Sequence, residues 1–127
     1  MQMKNMTDRK YTDQYINRTF KVKADFPWIK HPTFAVYRHK NNKWFAVVMD
    51  IPKSKLGLET EEIISVVNLK SDPLLIGSLH KENGIFPAYH MNKSHWITIL
   101  LDGSVEEEKL KLLLNMSYDM TLKKTKK

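Results

Sequence analysis

The chain has 127 residues, 42% of them apolar and 28% charged, which matches one globular domain and excludes an intrinsically disordered chain. It contains no cysteine, so a disulfide framework, a thiolate metal site and a cysteine nucleophile are all excluded. The formal net charge of +7 favours polyanionic partners, but Lys123, Lys124, Lys126 and Lys127 crowd the last five positions, and the charge outside them is about +3.

Met1 to Lys10 is polar, without the apolar stretch of a secretory signal. The longest apolar run, Trp96 to Leu101, is far short of the ~20 residues a membrane helix needs. A cytoplasmic protein with no membrane partner is therefore expected. The first helical pattern runs from Asp8 to Phe20, with Tyr11, Tyr15, Ile16 and Thr19 at helical spacing and Thr7 or Asp8 as its cap. Lys21 to Pro32 reads as a connection, because Pro27 and Pro32 push the residues before them out of the helical region.

Thr33–His39 and Lys43–Met49 are rich in aromatic and β-branched residues and flank Lys40-Asn41-Asn42, a hairpin signal because asparagine tolerates a positive φ. Strict alternation would place Phe34, Val36, Trp44, Ala46 and Val48 on one face and Ala35, Tyr37, Phe45, Val47 and Met49 on the other. Both faces are apolar, so both are expected to be covered. Asp50–Thr60 reads as a loop and Glu61–Lys70 as a third strand. Ser71-Asp72-Pro73 starts a short helix that runs to about Glu82, since Pro73 suits the first turn and Asn83-Gly84 supplies a left-handed stop.

Ile85–Lys93 reads as irregular and Ser94–Leu101 as a strand. Ser104 and Glu107 have the spacing of a capping box, opening a helix to about Tyr118 with Leu110, Leu113, Leu114 and Ser117 inward and Lys109 and Lys111 in water. The expected fold is α+β, in the order α-β-β-β-α-β-α, with an antiparallel sheet and helices packed on one face. Residues 1–122 form a single domain in this reading, and 123–127 a basic, disordered tail.

The densest group of chemically versatile residues is Pro87-Ala88-Tyr89-His90-Met91-Asn92-Lys93-Ser94-His95-Trp96. The five-residue spacing of His90 and His95 matches no metal-ligand pattern and no third ligand lies nearby, so neither a metal nor a cofactor is expected. No nucleophile or orienting carboxylate accompanies the histidines, so no catalytic residue is assigned. Lys93, His95, His90 and Asn92 could contact phosphates or base edges. Arg38, Lys40 and Lys43 flank the hairpin turn like a basic wing. Lys70, Lys93 and Asn92 could alternatively hold a small anion. Each residue also has a purely structural role open to it: Trp96 as packing in an alternating strand, Tyr89 as a locally bonded ring, Lys40 and Lys43 as solubilising charges on a hairpin.

Three stretches together resemble the MmcQ/YjbR-like family. They are Phe34-Ala35-Val36-Tyr37-Arg38 with Lys43-Trp44-Phe45-Ala46; Val67-Asn68-Leu69-Lys70-Ser71-Asp72-Pro73; and Pro87 to Trp96 followed by Leu101-Asp102-Gly103-Ser104 and Ser117-Tyr118. Ser71 stands where the family pattern often has cysteine. The resemblance implies a CyaY/frataxin-like architecture and a DNA-binding role by analogy with a double-wing domain. The iron binding of frataxins is not implied, because the first helix has no acidic run. Together, residues and resemblance give the expectation of a monomeric, non-enzymatic protein that binds double-stranded DNA through Arg38, Lys40, Lys43, Lys70, Lys93 and His95. The alternative is a small-ligand site or an enzyme centred on Tyr89, His90, Asn92, Lys93, His95 and Trp96.

Overall fold

The computed structural model describes residues 6–122; the lysine-rich segment 123–127 lies outside them. Helix α1 spans Arg9–Phe20, capped by the Asp8 carboxylate, which accepts from the Tyr11 N–H at 2.8 Å. Strands β1 (Ala35–Arg38) and β2 (Trp44–Pro52) form the hairpin, a 3₁₀ turn covers Lys53–Leu56, and β3 spans Ile63–Lys70. Helix α2 spans Pro73–Leu79 with Asp72 as its cap and Pro73 in its first turn. Strands β4 (Ile85–Pro87) and β5 (Trp96–Leu100) precede helix α3 (Glu107–Leu122).

The five strands form one sheet in the order β1-β2-β3-β5-β4, every neighbouring pair antiparallel. This is the α+β, antiparallel architecture expected, with one element added. The stretch after Gly84 contains β4, a three-residue edge strand ending in Pro87. An edge position tolerates proline because no outer neighbour needs its N–H.

The helices cover one face. Ile16 of α1, Ile76 and Leu79 of α2, and Leu110, Leu113 and Leu114 of α3 pack with Phe45, Val67, Leu69, Ile97 and Ile99 of the sheet. The opposite face is apolar too, with Val36, Val47, Met49, Ile51, Ile64, Val66 and Leu100. Loops rather than helices cover it, through Trp28, Phe34, Leu56, Tyr89 and Met91.

Three local expectations are corrected. The strict alternation in the hairpin fails, because Tyr37 pairs with Ala46 while Arg38 pairs with Trp44, leaving Phe45 as an extra residue on β2. This β-bulge puts Phe45 and Ala46 together on the helix face, and Val47, Met49 and Trp44 on the other. The capping box at Ser104 is not made: Asp102 Oδ1 takes both the Ser104 N–H (2.9 Å) and its hydroxyl (2.5 Å), and α3 begins only at Glu107. Lys109 and Lys111 are not simply solvated, since they pair with Glu82 and Glu107 at 3.0 and 3.4 Å.

The bulge opens the ladder between β2 and β3 beyond the Ala46–Leu69 pair. The buried Ser117 hydroxyl fills this gap. It donates to the Phe45 carbonyl at 2.6 Å and accepts from the Lys70 N–H at 2.9 Å, so neither backbone group is left unpaired. One serine thereby ties α3 to β2 and β3.

Candidate functional site

In this antiparallel sheet the ends of β1, β3 and β4 lie beside the starts of β2 and β5. Arg38, Trp44, Lys70, Pro87 and Trp96 thus share one end of the molecule. The hairpin turn closes there, with the His39 N–H donating to the Lys43 carbonyl at 2.9 Å and Asn42 at φ +73°. The last turns of α3 meet it: His39 Nε2 lies 2.7 Å from Thr121 Oγ1, and Tyr118 packs against His39 and Phe45. Phe20, at the end of α1, stacks on Tyr118 with centroids 4.1 Å apart.

This end gathers most of the cations singled out in the sequence. Lys40 and Lys43 are exposed at the turn, and Lys93 and His95 are exposed on the loop before β5. Lys70 is half-buried, its ammonium 5.9 Å from the centroid of the Trp96 ring, a cation–π distance. Lys43, Trp44, Lys70 and Trp96 line an open groove against Met120 and Thr121. Arg38 differs from the others, because it is ion-paired with Asp25. Among the described residues, Lys40, Lys43, Lys70 and Lys93 have no acidic partner.

The opposite end is rich in carboxylates. Glu59, Glu61 and Glu62 precede β3, and Asp102, Glu106, Glu107 and Glu108 surround the start of α3. Lys10, Lys55 and Lys81 also sit there, so this end is mixed. Four other cations near it are paired: Arg9 with Asp50 (2.8 Å), Lys53 with Glu62 (3.0 Å), and Lys109 and Lys111 as above. Asp25, Asp72 and Asp119 sit at the hairpin end, so the charge asymmetry along the strand direction is one of excess rather than complete separation.

A second feature lies on the loop-covered face. A cleft of about 220 Å³ opens between two aromatic walls. Trp28, Phe34 and Trp44 form one wall, with Trp28 edge-on to both neighbours at centroid distances of 6.1 and 5.6 Å. Tyr89 and His90 form the other, their rings 4.0 Å apart. Val47, Met49 and Asn68 make the floor.

Asn68 and Thr98 are fully buried cross-strand partners in this otherwise apolar layer. Thr98 donates its hydroxyl proton to Asn68 Oδ1 (2.5 Å) and accepts from the Tyr89 N–H (2.9 Å). The Asn68 amide donates to the Tyr89 carbonyl at 2.8 Å. Both backbone polar groups of Tyr89 are thus held from the sheet, which fixes the Tyr89 wall. His90 follows in the left-handed region, at φ +64°.

The structure divides the Tyr89–Trp96 cluster. Tyr89 and His90 line the cleft, while Trp96 lines the basic groove. Asn92 is spent locally: its side-chain oxygen accepts from the Ser94 N–H at 2.8 Å, and its carbonyl from the N–H groups of His95 and Trp96. Lys93 and His95 face solvent away from the cleft lining. Sequence reasoning assigned no binding role to Trp28, Phe34, Trp44, Asn68 or Thr98. A polar pair amid the apolar strands Ile63–Lys70 and Trp96–Leu100 was the available signal for the last two.

Titration is shifted at three described sites. Burial and the Asp13 carboxylate, which accepts from the hydroxyl at 2.6 Å, push Tyr37 upward. Burial and Glu107 do the same to Tyr11. Burial pulls His39 below its ordinary value. Among the described residues no group of three or more His, Asp or Glu side chains is placed to hold a metal ion, and no helix is long and apolar enough to cross a membrane.

The model of the YjbR family matches residues 19–120. The chain is 33% identical over 117 residues to the uncharacterized protein YyaQ of Bacillus subtilis, covering 91% of this chain and 99% of that one. It is 30% identical over 84 residues to the uncharacterized protein YjbR of Escherichia coli, covering 65% and 71%. A crystal structure of a Pseudomonas syringae protein superposes with a TM-score of 0.88 at 43% identity, covering 90% of this chain and 98% of that chain. The Deinococcus radiodurans protein DR2400, a DUF419 domain, superposes at 0.71 with 25% identity, covering 96% and 84%. The chain belongs to the YjbR family.

Proposed function

We propose that this YjbR-family chain is a non-enzymatic DNA-binding protein that holds the phosphate backbone against the hairpin end of its sheet. The observation that carries the reading is the collection of Lys40, Lys43, Lys70 and Lys93, which have no acidic partner among the described residues, at one end of the fold, with most carboxylates gathered at the other. Such an asymmetry orients an approaching polyanion as well as attracting it. Helix α3 ends at Leu122 on the basic side, and four more lysines follow in the sequence. Arg38 contributes less than its position in the hairpin suggests, because Asp25 already neutralises it.

Fluorescence anisotropy with a labelled DNA duplex at several salt concentrations tests the reading. Affinity should fall steeply with salt, and the log–log slope should shrink by about 0.9 for each phosphate-contacting lysine removed. Lys40→Glu, Lys43→Glu and Lys70→Glu together should flatten the slope and weaken binding. No binding at low salt would refute the reading. So would an unchanged slope in the triple variant, which would assign any binding to lysines outside the groove and the hairpin turn.

A further inference from the structure

The basic groove and the aromatic cleft are not separate features. Trp44 lines both of them. One side of its ring meets Trp28 at 5.6 Å across the cleft wall, and its residue neighbours Lys43 and Lys70 in the groove. A strand lying with its phosphates on Lys43 and Lys70 would therefore pass the mouth of an aromatic slot.

The slot suits a nucleobase. Its volume, about 220 Å³, is below the ~300–1,000 Å³ of pockets for drug-sized ligands, and so fits a small planar group. Its walls are ring faces and edges, on which any base can stack. Among the described residues no carboxylate lines it, so a cationic ligand finds no counter-charge there. Imidazoles at His31 and His90 and the Asn68 amide supply the few polar groups. The Asn68–Thr98 clamp fixes the Tyr89 wall before any ligand arrives, which lowers the ordering cost of binding.

We infer that the cleft between Trp28, Trp44, Tyr89 and His90 takes an unpaired nucleobase, so that the nucleic acid bound at the basic end is single-stranded or carries an extrahelical base. This rests on the nucleic-acid reading above and narrows it, since a fully paired duplex keeps its bases stacked out of reach.

The experiment uses the full chain with three probes: a 12-nucleotide single strand, the same sequence as a blunt duplex, and the free mononucleotide. At one fixed salt concentration the single strand should bind about tenfold tighter than the duplex. Trp28→Ala should weaken single-strand binding by about tenfold, the range of one base–aromatic stack, and leave duplex binding unchanged. Lys43→Glu with Lys70→Glu should weaken both. The mononucleotide should bind more weakly than the strand, because it lacks the neighbouring phosphates. Photo-crosslinking of a 5-bromouracil-substituted strand to the unmodified chain gives a readout that needs no variant to fold, with adducts expected on Trp28, Trp44, Tyr89 or His90.

Equal or tighter duplex binding, with adducts only outside the cleft, would overturn the inference while sparing the phosphate reading. A mononucleotide that binds as tightly as the strand would overturn it in favour of a free-nucleotide site. Failure of both strand and duplex to bind at low salt would overturn the phosphate reading itself.

Discussion

Removing the Asn68 side chain should cost far more than an exposed asparagine would. Asn68→Ala deletes two buried hydrogen bonds, to the Tyr89 carbonyl at 2.8 Å and from the Thr98 hydroxyl at 2.5 Å. Each is worth about 1 kcal/mol net, and each buried group left without a partner adds roughly 1–3 kcal/mol. The Thr98 side chain is fully buried, so its hydroxyl is left without water, whereas the half-buried Tyr89 can recover part of its loss. The expected total is about 3 kcal/mol, a large share of the ~5–15 kcal/mol that holds a domain of this size together. Thr98→Val keeps the shape but orphans the Tyr89 N–H and Asn68 Oδ1, at about 2 kcal/mol. Because the two residues share partners, the double variant should fall short of the sum by about 1 kcal/mol or more. Urea unfolding followed by far-ultraviolet circular dichroism measures all three. Hydrogen exchange at the Tyr89 amide, which should quicken in Thr98→Val, ties the loss to the loop. A cost below about 1 kcal/mol for Asn68→Ala, or strict additivity, would refute the clamp.

Ser117→Ala should destabilise the fold by about 2–3 kcal/mol, because it orphans the Phe45 carbonyl and the Lys70 N–H at once; Ser117→Thr, which keeps the hydroxyl, should cost less if the extra methyl fits. Gly84 sits at φ +86°, and a Cβ there would meet Val105 Cγ2 at 2.8 Å and Ser104 Cβ at 3.0 Å. A Cβ added at Gly57, at φ +83°, would meet nothing within 4 Å among the described residues, so Gly57→Ala should cost only the left-handed penalty of about 1–2 kcal/mol and Gly84→Ala clearly more; equal costs in urea unfolding would argue against the clash. Burial lowers the pKa of His39 from its ordinary value of 6.5, so between the two values the unfolded chain binds the proton and the folded chain does not. Stability from this source is complete above about pH 6.5 and is lost as pH falls through the depressed folded value; thermal melts from pH 8 to 5 should show a shallower decline in His39→Gln, and an identical decline would exclude His39 as the source.

The elements read easily from the sequence where one local signal was unopposed. Asp8 and Asp72 cap α1 and α2, and Pro73 opens α2. The failures share a cause, competition between neighbours that a linear reading cannot rank. Asp102 outcompetes Glu107 for Ser104 because a two-residue turn forms without waiting for the helix. Glu107 instead accepts from the Tyr11 hydroxyl on α1. The edge strand β4 was hidden by Pro87, whose ring is compatible with pairing only on one side. The proposed binding surface was legible in residue types but not in their assembly. Arg38, Lys40, Lys43, Lys70 and Lys93 are scattered over more than fifty positions, and the strand order alone brings them to one end. Asp25, which cancels Arg38, lies in a stretch that reads as a plain connection.

The bulge at Phe45 decides how the two halves of the proposed surface meet. Without an extra residue, Trp44 would share a face with Ala46 and Val48, and both of these point into the helix-covered core. With Phe45 inserted, Trp44 turns to the loop-covered face, beside Trp28 and above Val47. A bulge re-aims a side chain by shifting the strand's register by one residue at the point of insertion. Here it directs the one aromatic ring that borders both the cations and the cleft. The bulge is in turn kept by Ser117, which accepts from Lys70 N–H and donates to the carbonyl the bulge frees. The groove's lysine, its tryptophan and the helix that backs them are therefore coupled through one hydroxyl.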